Sequence, residues 1–260
     1  MKRLLAIVAL VALIPTVALA KNPFDGTWKL RIDSMKFTGK PDVFELKDGS
    51  FTCKNCAPPY TIKADGTMQK TPENPYRDHA SLKVTGPASV EWTIQRAGKT
   101  LTVVKMSVSA DGQTLTSTNT DYQGASPVTG TVVEKRIAPA AAGAHPISGS
   151  WQTERLTDET PAGLISTLTA TDNGLKMEYN GMVTDAKFDG KEYPTVGDPG
   201  HTMVTLKRLS DHQIEETDRR EGKVTDVILW TVATDGKTLS FSDEDKAHET
   251  TVSWTMDRLK

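Results

Sequence analysis

The only two cysteines of this 260-residue chain stand in the stretch "FTCKNCAPPY", as Cys53 and Cys56. A C-x-x-C spacing admits three chemistries: a dithiol redox centre, half of a metal site, or a local disulfide. A thioredoxin-like centre places its first cysteine at a helix N-terminus, which stabilises the thiolate. Here "APPY" follows, and two consecutive prolines block a helix. A structural zinc site needs four ligands in most cases. No second C-x-x-C exists, and His79, His145, His201, His212 and His248 show no ligand spacing. A β-turn at Lys54-Asn55 would bring the two Cα atoms within about 7 Å, inside the range a disulfide tolerates. We therefore expect Cys53 and Cys56 to be joined, with no metal and no cofactor.

The remaining chemistry is sparse. No nucleophile elbow, P-loop, H-E-x-x-H or dinucleotide-binding glycine pattern occurs, and no enzymatic activity is expected. Glu91 with Arg96, and Glu215 with Arg220, recur at matching distances along the chain. They read as one surface or barrel-mouth ion pair in each half rather than as an acid/base pair. The stretch "EETDRREGK" (215–223) reads as a solvated hairpin tip, and "NPY" (74–76) and "DPG" (198–200) as loop punctuation.

These residues sit in a duplicated framework. Positions 62–121 align with 186–245 at a constant offset of 124 without a gap. Asp65-Gly66 falls on Asp189-Gly190, Pro75 on Pro199, Leu82-Lys83 on Leu206-Lys207, Gly98-Lys99 on Gly222-Lys223, and Asp111-Gly112 on Asp235-Gly236. Between the copies lies "APAAAGAHP" (138–146), an Ala/Pro-rich segment with the composition of a short linker. The expected organisation is 1–20 signal peptide, 21–137 first barrel, 138–146 linker and 147–260 second barrel. The cysteines align with Met177 and Asn180, so the disulfide is an addition to the first copy.

Within each copy, Asp-Gly, Asn-Gly and similar turns recur along the chain and separate β-branched runs such as "LTVVKMSVS" and "VTDVILWTV". Such turns join adjacent antiparallel strands. The fold class is all-β: two tandem antiparallel up-and-down barrels, since closure removes exposed strand edges. Symmetric pairing about Ala97-Gly98 puts Val90, Trp92, Ile94, Leu101 and Val103 on one face, against Glu91, Thr93, Thr102, Val104 and Met106. In the second copy Ile214, Glu216, Asp218, Val227 and Leu229 oppose Glu215, Thr217, Asp226, Ile228 and Trp230. Neither face is apolar in both copies, and Trp92 becomes Glu216.

Each copy opens with G-x-W, at Trp28 and Trp151, and ends on an arginine, Arg136 and Arg258. This resembles the lipocalin and fatty-acid-binding-protein superfamily. "AKFDGKEYPTVGDP" followed by "TLKR" resembles a group of secreted bacterial lipocalin-like domains. The resemblance implies that Trp28, Arg136, Trp151 and Arg258 close the barrels, an arginine lying over each tryptophan. It also implies non-enzymatic binding of a small, partly apolar molecule. The competing expectation is an envelope structural or interaction module with filled barrels and no ligand.

The first twenty residues carry Lys2-Arg3, an apolar run and Ala18-Leu19-Ala20, the layout of a cleaved secretory signal. We expect a mature start at Lys21, a periplasmic or secreted location and no stable membrane insertion. Residues 21–138 hold 16 Lys and Arg against 12 Asp and Glu, and residues 139–260 hold 13 against 21. The two halves thus carry net charges of opposite sign, which favours domain–domain or head-to-tail contact. No nucleic-acid partner is expected.

Overall fold

The computed structural model describes residues 22–259; the expected signal peptide, 1–20, lies outside them. The chain enters as β1 (Gly26–Gly39), then runs through β2 (Asp42–Lys47), β3 (Ser50–Cys53), β4 (Tyr60–Lys63) and β5 (Gln69–Asn74). It continues as β6 (Arg77–Gly86), β7 (Ser89–Arg96), β8 (Lys99–Val108), β9 (Thr114–Asp121), β10 (Val128–Ala138) and β11 (Gly149–Glu159). After the single turn α1 (Pro161–Leu164) come β12 (Ile165–Thr171), β13 (Gly174–Tyr179), β14 (Met182–Lys187) and β15 (Tyr193–Val196). The last strands are β16 (Met203–Ser210), β17 (Gln213–Arg220), β18 (Lys223–Val232), β19 (Thr238–Asp245) and β20 (Thr250–Arg258).

All pairings between named strands are antiparallel, and they form two ten-stranded barrels. One is closed, in the order β1-β12-β13-β14-β15-β16-β17-β18-β19-β20. The other runs β4-β3-β2-β11-β10-β9-β8-β7-β6-β5 and is nearly closed. Its seam is bridged by a side chain. Gln69 accepts from the Lys63 amide and donates to the Lys63 carbonyl, both at 2.9 Å, imitating one rung of a ladder.

The division between barrels corrects the tandem organisation expected from the repeat. β1 belongs to the first copy, yet it pairs with β12 and β20 of the second. β11 belongs to the second copy, yet it pairs with β10 and β2 of the first. The copies have exchanged their opening strands. One barrel is therefore the continuous segment 42–159, and the other is built from 26–39 and 165–258. The Ala/Pro segment 138–146 joins β10 to β11 within one barrel. The crossings between barrels fall at Lys40-Pro41 and at Thr160 to Leu164.

Exchange costs little because both opening strands carry G-x-W and satisfy equivalent ladders. At the first crossing the Lys40 amide still bonds the Glu249 carbonyl at 3.2 Å, and Pro41 then offers no donor to continue the ladder. Gly39 marks the departure with φ +113°, where a Cβ would overlap the Glu249 carbonyl.

Each barrel has one apolar core. That of 42–159 is packed on Phe44, Phe51, Trp92, Leu82 and Trp151; the other on Phe24, Trp28, Leu206, Trp230 and Phe241. The exchange also redistributes the tryptophan–arginine pairs. The Arg258 guanidinium lies 4.1 Å above the Trp28 ring, and Arg136 lies 4.0 Å above Trp151. Arg136 also donates to the carbonyls of Gly112, Pro146 and Ser148, and Arg258 to those of Gly236, Pro23 and Asp25. These are equivalent anchor points in the two copies. Each indole N–H in turn bonds a carbonyl four residues earlier, Trp28 to Phe24 at 3.0 Å and Trp151 to Ile147 at 2.8 Å.

Cys53 and Cys56 form a disulfide with Cα atoms 5.5 Å apart, across the Lys54-Asn55 turn as expected. Closing so short a loop restricts the unfolded chain little. The double variant Cys53→Ser/Cys56→Ser is expected to fold and to lose about 1–2 kcal/mol in urea unfolding. A loss near 5 kcal/mol would show that the bond organises the barrel rather than stapling one turn.

Candidate functional site: a cavity in the second barrel

The two interiors are filled differently. In the barrel of 42–159, Trp92 packs edge-on to Phe44 and Phe51, with ring centroids 6.2 and 5.6 Å away. A space of about 290 Å³ remains, lined in part by Phe37, Trp92, Glu134 and His248. In the other barrel Glu216 stands where Trp92 stands in the first copy, and the cavity grows to about 560 Å³. Its wall carries Leu168, Met177, Ile228, Trp230, Phe241 and Trp254. Phe241 stacks on Trp254 at 4.9 Å and tilts against Trp230 at 4.7 Å.

The wall is set by a bulge that the symmetric strand pairing missed. Arg220 pairs with Lys223 and Arg219 with Val224, but Asp218 then pairs with Asp226 and Glu216 with Ile228. The extra residue reverses the alternation. Ile214, Glu216, Asp218, Asp226, Ile228 and Trp230 thus share the inner face, instead of being divided between two. The same shift between Ile94 and Gln95 puts Val90, Trp92, Val104 and Met106 together in the first copy. With the bulge in place, the inner faces separate more clearly than the sequence alone allowed.

The bulge also gathers carboxylates. Glu216 is only 6% exposed. Burial, with Asp218 and Asp243 nearby, pushes its carboxyl well above the usual range. Burial raises Asp218 to about 6 and Asp243 to about 7. Glu216 Oε2, Asp218 Oδ1, Asp243 Oδ1 and Trp230 Nε1 are buried without a hydrogen-bond partner among the described residues. Trp230 lies close enough to Glu216 to favour its charged form, though the two make no hydrogen bond of normal geometry.

The mouth is built partly from the neighbouring barrel, through Tyr76, Asp121, Gln123 and Glu159, and partly from Gly163 in the α1 crossing. Tyr76 donates to Asp198 at 3.0 Å. Asp198 also accepts the Gly200 and Thr202 amides at 3.0 and 2.8 Å, which outweighs its burial and holds its carboxyl below the ordinary value. The two repeat-equivalent loops, Asn74-Pro75-Tyr76 and Asp198-Pro199-Gly200, thus meet. A Cβ on Gly200 would overlap the Tyr76 ring. Arg220 lies 5.1 Å from that ring and donates to Thr202 at 2.9 Å and Asp226 at 3.0 Å.

Several expectations change here. "EETDRREGK" is not a wholly solvated tip, since Glu216 is buried and Arg220 is tied into the mouth. The recurring Glu–Arg pairs do not form: Arg96 approaches Glu73 at 3.7 Å, and Arg220 takes Asp226 rather than Glu215. Trp28, Trp151, Arg136 and Arg258 do not line this cavity. The one signal pointing to it was the exchange of Trp92 for Glu216.

No helix among the described residues is long and apolar enough to cross a membrane. Comparison with protein-family models, curated proteins and solved structures finds no match to this chain.

Proposed function

We propose that this protein is a secreted, lipocalin-like, non-enzymatic binding protein that holds a small, partly apolar molecule in the barrel formed by 26–39 and 165–258. The observation that carries this reading is the cavity of about 560 Å³ walled by Leu168, Met177, Ile228, Trp230, Phe241 and Trp254. That size and lining suit a small organic ligand. The G-x-W strands with arginines stacked on their tryptophans support the lipocalin-like assignment. The signal-like residues 1–20 and the disulfide support an extracytoplasmic location. The rival reading, a structural or interaction module, draws on the barrel of 42–159, whose interior Trp92 largely fills.

N-phenyl-1-naphthylamine, an uncharged fluorophore that brightens in apolar surroundings, tests the carrier reading. One molecule per chain is expected to bind. Met177→Trp, which places an indole in the cavity, is expected to weaken binding at least about tenfold while leaving far-UV circular dichroism unchanged. No fluorescence increase in the wild-type protein, or equal binding by Met177→Trp, would move the function to the outer faces.

A further inference from the structure

The repeat provides an internal control for the acidic wall. Glu216, Asp218, Asp226 and Asp243 occupy the positions of Trp92, Ile94, Thr102 and Asn119 in the first copy. Strand pairing confirms the equivalence, with Glu216 opposite Ile228 and Trp92 opposite Val104. The first copy builds its barrel with no acid at any of the four positions, so the fold does not need them. Burying carboxylates without partners is costly, yet four carboxylates stand together on one inner wall, and of these only Asp226 has a cationic partner, Arg220. Six carboxylates line the cavity: Asp121, Glu159, Glu178, Asp198, Glu216 and Asp218. The single guanidinium lining it, Arg220, is already paired with Asp226.

Beside the acids stand the faces of Trp230, Phe241 and Trp254. A carboxylate accepts N–H bonds, an aromatic face attracts a cation, and an apolar wall takes hydrocarbon. The three together suit an organic ammonium. They do not suit a bare metal ion, because no three His, Cys, Asp or Glu among the described residues stand in metal-binding proximity. The buried Trp230 N–H adds a donor for a polar atom elsewhere on the same molecule.

We propose that the cavity binds a monocationic amine with an apolar or aromatic body, its ammonium seated at Glu216 and Asp218 with Asp243 behind them. This rests on the carrier reading above and gives its ligand a charge. The proton is the competing cation. Burial and mutual repulsion hold protons on Asp218 to about pH 6 and on Asp243 to about pH 7, with Glu216 also shifted upward. The charged groups around them are Arg220 on β17, Asp226 on β18, Asp245 on β19 and Asp198 in the β15–β16 loop, with Tyr76 against Arg220 and Asp198 across the mouth. Amine affinity should therefore rise from pH 5 to pH 8, where Asp218 and Asp243 lose their protons and an alkylamine stays charged.

Isothermal titration of the mature full chain with 4-phenylbutylamine, 4-phenylbutanol and 4-phenylbutyrate tests this at pH 5 and pH 8. At pH 8 the amine is expected to bind about 10- to 100-fold tighter than the alcohol, and the carboxylate more weakly than either. The preference should shrink at pH 5, while alcohol binding stays level. Glu216→Gln/Asp218→Asn is close in shape, removes buried charge and should abolish the preference. Equal binding of amine and alcohol, or a preference that survives in that variant, overturns the charge assignment and leaves the carrier reading standing. Failure of all three probes while N-phenyl-1-naphthylamine binds also overturns the amine assignment. Failure of the fluorophore as well ends both readings.

Discussion

Trp28→Ala is expected to loosen the barrel made by 165–258 and leave that of 42–159 intact, although Trp28 belongs to the first copy. Trp28 is completely buried in the other copy's core, under the Arg258 guanidinium. Truncating a buried tryptophan costs about 3–5 kcal/mol, and losing the stacked arginine adds to it. β1 lies between β12 and β20 and closes that ring, so weakening it exposes two ladder edges at once. Amide hydrogen exchange checks this. Amides in β12–β20 should exchange at least about a hundredfold faster, and those in β2–β11 should change little. Trp151→Ala should give the mirror result, since Trp151 is fully buried in the core of 42–159. Faster exchange in β2–β10 of Trp28→Ala would mean that each copy keeps its own opening strand.

That exchange was not legible in the sequence, for a definite physical reason. An alignment at offset 124 is identical whether Trp28 serves its own copy or the other. A strand encodes the chemistry of the face it will bury, and β1 and β11 encode the same face. What chooses between partners is the connection. Two residues, Lys40-Pro41, lead from β1 to β2. The segment 138–146 looked like the boundary because of its composition, but composition reports an exposed connection and not what it connects.

The duplication, the β class, the tight turns and the disulfide were all visible, because each depends on local residue types at fixed spacing. The inner wall was not, because alternation has a period of two and one bulged residue inverts it. Bulges at Ile94/Gln95 and at Asp218/Arg219 do so in both copies. The acidic cluster therefore looked divided between two faces until Glu216 was found opposite Ile228. The substitution of Trp92 by Glu216 did announce that the interiors differ, since it replaces a core-filling ring with a group that must be neutralised or paired.

Thermal unfolding of residues 21–260 is expected to give a higher midpoint at pH 5 than at pH 8, opposite to the behaviour of a protein whose carboxylates are paired. The groups responsible carry raised values in the folded state. Burial raises Glu134 to about 8, with Asp42 adding repulsion, although Ser117 donates to it at 3.0 Å. Glu159 rises to about 7 by burial, and Asp218, Asp243 and Glu216 rise as described. In the unfolded chain these groups titrate near pH 4. Between there and pH 8 the folded state binds more protons than the unfolded one, so stability falls as pH rises. The contribution is complete below the unfolded values and is lost through the folded ones, between about pH 5 and 8. Carboxylates held low by hydrogen bonds, such as Asp111 and Asp78, act in the opposite sense but only at more acid pH. After discounting the half-exposed groups for screening, the raised ones still amount to a few kcal/mol, on the order of 10 °C in midpoint. Asp218→Asn should raise the pH 8 midpoint and flatten the profile, because it removes a buried carboxylate whose folded value of about 6 lies inside this window. Equal midpoints at pH 5 and pH 8 would place these carboxylates in water. Saturation with an amine at pH 8 should then restore much of the lost stability, since the ammonium takes the place of the departed protons.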